Sequence, residues 1–344
     1  MSGQKNKKNL EQYFSKTSKG IQPEIEKILT LYVDKKFQDL ARYQILSGGK
    51  RIRPALTILS SQLFGGSIRS ALGLAAALEI LHNYSLIIDD IIDNSVLRRG
   101  QKTTWAKYGK AIAQCISIDY AAAIFQEANR SKKPVEVSEL LAKVLKKISD
   151  GEILDILFEQ AGREEEPYIL KHRYRNITEK DYFEMVGKKT AILFQTCCEI
   201  GALCGNANAR QLKAVRSYGY NLGLAFQMRD DILDIFGEEK KFGKKIGKDI
   251  EERKGGNIVI YFANQEFLPK DKKEFWQIIR RKKMTKENLE RAINLIKKTH
   301  AKERALNYSR KIVEKTKTSL KLLPQNKYNR LLEEITDLVV ERQK

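Results

Sequence analysis

Residues 86–100 read Leu86-Ile-Ile-Asp89-Asp90-Ile-Ile-Asp93-Asn-Ser-Val-Leu-Arg98-Arg99-Gly100. Three carboxylates lie inside an otherwise apolar run, and two arginines follow them. In a helix, Asp89 and Asp93 share one face and Asp90 flanks it. Carboxylates this close repel one another and resist burial unless a cation neutralises them. Mg²⁺ prefers oxygen ligands and is commonly shared between one or two carboxylates and a phosphate, so the stretch predicts a helix that carries a Mg²⁺ site.

The same spacing recurs far along the chain, in Phe226-Gln227-Met-Arg-Asp230-Asp231-Ile-Leu-Asp234. One such pattern is compatible with a solvated helix face. Two of them, both in apolar helical context, predict two halves of one metal–diphosphate site.

The composition indicates a globular helical protein. A chain of 344 residues can bury a large core as one big helical domain or as two ordinary ones. Only six prolines interrupt it, which favours helices. The polar start lacks the apolar core of a signal peptide, and we expect a cytoplasmic protein with no segment apolar and long enough to span a membrane.

The net charge of +21 has several possible explanations. A lysine-rich surface is the simplest, and steering of polyanionic substrates comes next. Nucleic-acid binding is disfavoured, because no basic motif is interleaved with aromatic residues. The four cysteines lack CxxC spacing and are predicted to be buried free thiols; they are Cys115, Cys197, Cys198 and Cys204.

Two further stretches combine glycine with cations. In Gly48-Gly49-Lys50-Arg-Ile-Arg53-Pro54, a turn leads into a helix whose first turn suits the proline. Cations at a helix start oppose the macrodipole, so an anion should bind there, unless the turn is simply solvated. The second stretch is Gly187-Lys-Lys189-Thr190, on a helix that Thr178 and Asp181 are predicted to cap. It is not a P-loop, because position 182 is tyrosine where a glycine is required.

Together, the two DDxxD motifs, the GGKRxRP stretch and the Lys-Thr pair resemble the trans-isoprenyl diphosphate synthases (polyprenyl synthetases). The resemblance implies an all-α fold, a single-domain bundle of antiparallel helices around a central prenyl-binding cavity. We expect this domain over residues 21–344, after a flexible basic segment over 1–20. The family also implies a homodimer.

The resemblance assigns roles to individual residues. Three Mg²⁺ ions would be held by the carboxylates Asp89, Asp90, Asp93, Asp230, Asp231 and Asp234. Isopentenyl diphosphate would be bound by Gly49, Lys50, Arg53, His82 and Arg99. The allylic diphosphate would be bound by Arg98, Lys189, Lys244 and Lys254. Gln227 would also bind substrate, and Thr190 would lie where the carbocation forms. Apart from this resemblance, a lone histidine such as His82 is more often a core residue, and the glycine- and lysine-rich loop that contains Lys244 is equally compatible with a solvated loop.

Product length is expected to depend on residues before the first aspartate motif. Tyr84 precedes Asp89 by five residues, about 7.5 Å along a helix. A large aromatic ring at this distance would close the end of the tunnel that holds the growing prenyl chain. A small Ser85 and the absence of an insertion between the aspartates resemble archaeal-type geranylgeranyl diphosphate synthases. We therefore expect a C20 product, with C15 next; the alternative is that Tyr84 is a core residue.

Two positions depart from the family pattern. Ile118-Asp119 stands where the family usually has Gly-Asp midway along a buried helix, and Gly151-Glu152 stands where it has Gly-Gln. Both lie near the allylic pocket in the family. The changes are expected to alter pocket shape or polarity without removing a metal or phosphate ligand.

Three other functions compete with a synthase. A non-catalytic subunit of a heteromeric synthase typically has a degraded motif, whereas this chain keeps all of them. A terpene cyclase generally lacks the second complete DDxxD and the basic set. A nucleic-acid-binding helical protein leaves the paired aspartates unexplained. A prenyl diphosphate synthase is therefore favoured.

Overall fold

The computed structural model describes residues 2–237, 246–281 and 283–341. The chain is 78% helical, and the strands among these residues are one short hairpin, which confirms the all-α fold class. The strands are β1 Leu97–Arg98 and β2 Gln101–Lys102. The helices up to the π-helical segment Gly187–Ala191 are α1 Ser2–Tyr32, α2 Gln38–Leu46, α3 Ile52–Leu63, α4 Ile68–Ile92, α5 Thr104–Tyr108, α6 Lys110–Asn129, α7 Pro134–Leu157, α8 Pro167–His172 and α9 Glu179–Val186. After it come α10 Ile192–Cys204, α11 Ala209–Phe236, α12 Lys248–Glu251, α13 Ile258–Glu266, α14 Pro269–Ile279, α15 Lys286–Lys297, α16 Ala301–Lys321 and α17 Lys327–Glu341.

The chain divides into two compact units. The first unit comprises Met1–Lys146, Ile192–Tyr220 and Thr316–Thr336. The second unit comprises Lys147–Ala191, Asn221–Lys315 and Asp337–Lys344. The first aspartate motif therefore belongs to the first unit, and the second motif belongs to the second unit.

Helix α4 is the centre of the first unit and is the predicted helix that carries the first aspartate motif. Ser67 caps its N-terminus through a reciprocal capping box with Ser70, and Asp93 is its C-cap. The helix packs against α1, α3, α6 and α10, which explains why its side chains are apolar on most faces.

The apolar length of α4 corrects one expectation from the sequence. Among the described residues, α4 is one helix that is long and apolar enough to cross a membrane by length and composition. Within its most apolar window, 61% of the residues are buried inside the protein. The prediction that no segment reaches this length was wrong, because a helix surrounded by four others is as apolar as a membrane span.

Residues 1–20 were expected to be flexible, but the described part of this segment lies within α1. Leu10 and Thr17 are buried, Tyr13 is half-buried, and all three share the helix face of the fully buried Ile21. Spacings of three and four residues give a helical stripe that the polar composition conceals. The segment is therefore helical and packed from Leu10 onwards.

Helix α6 has an exposed face that the sequence did not predict. Cys115 is exposed, in contrast to the predicted burial, whereas Cys197 and Cys198 are buried free thiols as predicted. Ile118, expected midway along a buried helix, is 69% exposed. The apolar run of α6 covers both faces, and its core side is formed by other residues such as Tyr120.

Candidate active site

The first aspartate motif ends α4, and its second aspartate is fixed by an arginine. The Asp90 carboxylate is buried, and Arg98 Nε lies 2.9 Å from both of its oxygens. Arg98 Nη2 adds contacts of 2.8 Å to Asp90 and 3.4 Å to Asp89. Burial opposes the charge on Arg98, but Asp90, Asp89 and Asp93 outweigh burial and raise the pKa of the guanidinium. Arg98 therefore stays charged and holds Asp90 in place.

Asp89 and Asp93 are the more accessible carboxylates of this motif. Both are half-buried, and they lie four residues apart at the end of α4. They therefore share one helix face, as the sequence predicts. Their oxygens suit Mg²⁺ better than those of Asp90, which are engaged by Arg98.

Arg51, in the GGKRxRP stretch, has an internal carboxylate partner. Arg51 is buried, and its Nη1 lies 2.6 Å from Glu79 Oε1, while its Nη2 donates to the Ile45 carbonyl at 2.7 Å. Arg51 therefore stabilises the start of α3, and the expectation of an external anion does not apply to it. Lys50 is exposed and Arg53 is half-buried.

Arg53 and His82 meet, although 29 residues separate them. Arg53 Nη1 lies 3.1 Å from His82 Nε2, and its guanidinium stacks 4.8 Å from the Phe194 ring centre. A guanidinium can only donate, so Nε2 accepts and the ring proton lies on Nδ1. Burial, followed by the charge of Arg53, lowers the pKa of His82 well below its ordinary value. His82 is therefore a neutral ring that orients a cation.

Arg99 approaches the backbone of the Gly48-Gly49 turn. Its Nη1 donates to the Gly48 carbonyl and lies 3.4 Å from Ser47 Oγ. Gly49 has a φ of +144°, and a Cβ there would lie 3.1 Å from the Arg99 guanidinium nitrogens. The absence of a side chain at Gly49 thus lets the Arg99 guanidinium approach the backbone closely. The charge of Arg99 also lowers the pKa of His82, so the structure brings these predicted residues together.

The second aspartate motif lies on α11, and Asp231 is its most enclosed member. Its carboxylate accepts hydrogen bonds from Tyr182 Oη at 2.8 Å, Gln227 Nε2 at 2.9 Å and the Ile258 backbone N at 3.1 Å. Burial, followed by the charge of Asp249, raises the pKa of Asp231 to about 8 against these three donors. The N-terminus of α13 supplies one donor, which is the end of a helix that favours an anion.

Asp234 is also buried, and Asp249 lies close to it as it does to Asp231. It accepts hydrogen bonds from the backbone N of Lys248 at 3.0 Å and of Asp249 at 3.2 Å. Burial, followed by the charge of Asp249, raises the pKa of Asp234 well above its ordinary value. Asp230 is more exposed than Asp231 and Asp234. Burial and a neighbouring negative charge make the ionised form of these carboxylates costly unless a cation lies beside them, so this donor set fits a divalent metal ion.

The described residues contain no group of three or more His, Cys, Asp or Glu side chains that could hold a metal ion unaided.

Lys189 lies on the π-helical segment Gly187–Ala191, an irregularity that often marks functional sites. A Cβ at Gly151 would lie 2.3 Å from the Lys189 backbone N, so glycine lets α7 approach the segment closely. Lys189 Nζ lies 2.7 Å from Asp155 and 2.8 Å from Glu152. Lys254 Nζ also contacts Asp155, at 3.2 Å. Two predicted diphosphate-binding lysines thus share one aspartate.

Thr190 and Gln227 connect this segment to the second aspartate motif. Thr190 Oγ1 donates to Gln227 Oε1 at 2.9 Å, and Gln227 donates in turn to Asp231. The amide orientation of Gln227 is thereby determined, since both of its ends are engaged. The predicted Thr190 and Gln227 therefore lie side by side.

The remaining predicted residues have simpler surroundings. Tyr84 and Ser85 are half-buried on α4, and Ser85 Oγ donates to the His82 carbonyl at 2.8 Å. Lys244 lies outside the described residues.

Sequence reasoning missed four residues of these groups. Tyr182 entered only as a mismatch to a P-loop, and Asp155, Asp249 and Asn257 were not considered. Asn257 caps α13 and donates to Asp249 Oδ2 at 2.8 Å. Asp155 follows Gly151 by one helical turn, a spacing that could have indicated it.

Comparisons with known proteins identify the family of the chain. A family model described as polyprenyl synthetase matches residues 34–296. The chain is 35% identical to a short chain isoprenyl diphosphate synthase of Methanocaldococcus jannaschii, over 81% of this chain and 82% of that one. It is 34% identical to a geranylgeranyl diphosphate synthase of Saccharolobus solfataricus, over 84% and 85%. Relatives at 31% and 30% identity are a geranylfarnesyl diphosphate synthase of Aeropyrum pernix and a heptaprenyl diphosphate synthase component 2 of Bacillus subtilis.

The fold is shared with a solved polyprenyl synthase of Caulobacter crescentus that is complexed with calcium and isoprenyl diphosphate. The TM-score is 0.85 at 30% identity, covering 97% of each chain. The chain therefore belongs to the polyprenyl synthetase family and is a trans-prenyltransferase with the all-α fold of isoprenyl synthases.

Proposed function

We propose that the protein condenses isopentenyl diphosphate with allylic diphosphates in a Mg²⁺-dependent reaction, and that geranylgeranyl diphosphate (C20) is its main product. The observation that carries this proposal is that the second aspartate of both motifs has the same kind of environment. In each motif the second aspartate, Asp90 or Asp231, is buried and held by donors of the protein. The six aspartates of the two motifs would hold the metal ions, three in all as the resemblance implies, and Asp89, Asp93 and Asp230 are the more accessible of the six.

Bound Mg²⁺ supplies Lewis-acid stabilisation of the charge that develops on the departing diphosphate. Lys189 and Lys254 would bind the allylic diphosphate through their positive charge, and Arg98 keeps the Asp90 carboxylate of the first motif in place. Thr190, fixed by Gln227, faces the reacting carbon in this proposal.

The isopentenyl diphosphate is held by Lys50, Arg53 and Arg99, and the neutral His82 orients Arg53. Its double bond attacks the allylic cation, and proton loss to the released diphosphate gives a trans product five carbons longer. The reaction requires a pocket closed to water, since water would quench the cation.

The C20 product is the part of the proposal with an open alternative. The curated relatives include geranylgeranyl, geranylfarnesyl and heptaprenyl diphosphate synthases, so products from C20 upward, and the C15 product, remain competitors. The proposal for C20 rests on Tyr84 as the floor of the prenyl tunnel. If it is correct, Tyr84→Ala lengthens the product, and an unchanged product removes Tyr84 from that role.

The test incubates the purified protein with Mg²⁺, isopentenyl diphosphate and, separately, C5, C10 and C15 allylic diphosphates. Mass spectrometry identifies the prenyl alcohols after dephosphorylation. We expect a C20 product that is lost in Asp89→Ala and in Asp230→Ala.

A longer product would retain the synthase and overturn the C20 assignment. No product from any starter would favour a subunit that needs a partner chain, as the name "component 2" of the Bacillus subtilis relative suggests for that protein. We also propose a homodimer, which size-exclusion chromatography with light scattering would test.

A further inference from the structure

Acidic and basic side chains alternate around the π-helical segment of the second unit. Lys189 contacts Glu152 and Asp155, while Lys254 contacts Asp155 and, at 3.4 Å, Glu252. These five side chains are at most 22% exposed, so solvent screens their charges poorly.

Carboxylates offset the charges of the lysines in this cluster. Glu252 also pairs with Lys248 at 2.9 Å. Asp155 bridges Lys189 and Lys254, and Glu152 pairs with Lys189. Glu152 therefore cancels part of the positive charge that Lys189 would otherwise offer to an anion.

A carboxylate at this place opposes the binding of a second anion. An ammonium that is 2.8 Å from a carboxylate presents little net charge to a diphosphate that arrives beside it. Glutamine has the same shape and can accept the same hydrogen bond, but it leaves the charge of Lys189 uncancelled. The departure from Gly-Gln to Gly-Glu at 151–152 thus changes charge with little change of volume.

We propose that Glu152 is a positioning residue that sets the affinity of the enzyme for the diphosphate group. Its carboxylate holds Lys189 on the π-helical segment and reduces the positive charge offered to the allylic diphosphate, so that substrate binds more weakly and released diphosphate leaves faster. This inference rests on the proposed role of Lys189 as a diphosphate ligand.

The test measures the binding of inorganic diphosphate with Mg²⁺ by isothermal titration calorimetry, which requires no turnover. In Glu152→Gln we expect Kd to fall about tenfold, the size of effect expected for one charge at short range in a half-buried site. Glu152→Ser, a second neutral variant, should also bind more tightly. Glu152→Asp keeps the charge and should stay close to the unmodified protein.

Steady-state kinetics separate this role from a merely structural one. In Glu152→Gln the KM for the allylic diphosphate should fall, while the KM for isopentenyl diphosphate stays the same. Glu199→Gln is the matched control, because Glu199 is a buried carboxylate paired with Arg216 in the first unit. It should leave the binding of diphosphate unchanged.

Lys189→Ala separates failure of this inference from failure of the proposed function. If Lys189→Ala weakens diphosphate binding but neither neutral variant at 152 strengthens it, the inference about Glu152 is overturned and the site assignment stands. If Lys189→Ala leaves diphosphate binding unchanged, the assignment of Lys189 fails and the inference fails with it. Prenyl product formation would still decide the proposed function.

Discussion

Replacing Tyr182 with phenylalanine removes one hydroxyl from the second aspartate motif and nothing else. That hydroxyl donates to Asp231 Oδ2 at 2.8 Å, and both side chains are buried. A hydrogen bond to a charged group contributes about 1.5–3 kcal/mol net. Gln227 and Ile258 keep donating to the carboxylate, so we expect a loss of about 2 kcal/mol in the free energy of unfolding.

The same change should lower the affinity for Mg²⁺. Without the Tyr182 hydroxyl, the Asp231 carboxylate holds its proton more tightly, so a metal ion competes less well for it. Loss of a residue that orients a metal-binding group typically costs about tenfold in metal affinity. We therefore expect the Mg²⁺ concentration for half-maximal prenyl transfer to rise about tenfold in Tyr182→Phe. Urea unfolding at a pH above the raised pKa of Asp231 and initial rates across a Mg²⁺ titration measure the two effects.

Tyr218→Phe is the control. Tyr218 is equally buried, and its hydroxyl donates to the neutral Leu332 carbonyl at 2.8 Å. It should lose about 1 kcal/mol of stability and keep its Mg²⁺ dependence. If both variants lose equal stability and both keep the original Mg²⁺ dependence, Tyr182 does not support a metal-binding motif through Asp231.

Three further predictions address other contacts. Arg98→Ala leaves the buried Asp90 without its cation and should cost about 3–5 kcal/mol of stability, measured by urea unfolding. Gly151→Ala places a methyl group against the Lys189 backbone and should cost about 1–3 kcal/mol, measured by the same method, with loss of prenyl transfer. The pKa of His82 is lowered in the folded state, so below pH 6.5 the unfolded chain binds more protons than the folded chain. The free energy of unfolding therefore decreases as the pH is lowered. The slope should approach about 1.4 kcal/mol per pH unit, and His82→Gln should remove it.

Matched variants show whether these effects are specific. Arg42→Ala, in an exposed pair with Asp39, should change stability by less than about 1 kcal/mol. Gly20→Ala makes only ordinary van der Waals contact in α1 and should stabilise by up to about 1 kcal/mol. A Gly151→Ala variant that behaves like Gly20→Ala would refute the close approach. For the pH effect, the difference between the unmodified protein and His82→Gln is the quantity to measure, because buried carboxylates with raised pKa values change stability in the opposite direction.

Local patterns in the sequence predicted local structure well. The extent of α4 follows from Ser67, which offers a capping hydroxyl, and from a long apolar run. The capping box of Thr178 and Asp181 was predicted and is present. Such features depend on residues three or four positions apart, so one sequence suffices to predict them.

Pairings between distant residues could not be predicted in the same way. Glu79 neutralises Arg51 across 28 residues, and Asp155 engages Lys189 across 34. Spacing along the chain says nothing about which buried carboxylate meets which cation. The expectation that an anion binds beside Arg51 therefore counted a cation that was already paired.

The two aspartate motifs have the same spacing, but different groups hold their second aspartates in place. Asp90 is held by Arg98, a cation in the first strand of a short hairpin, whereas Asp231 is held by neutral donors and by the first turn of a helix. A cation compensates the whole charge of a carboxylate, but neutral donors compensate it only in part. The neutral donors therefore do not offset the effect of burial and of the charge of Asp249, and the pKa of Asp231 stays raised. The second motif thus depends more on a bound metal for its ionised state than the first does, a difference that the shared spacing could not reveal.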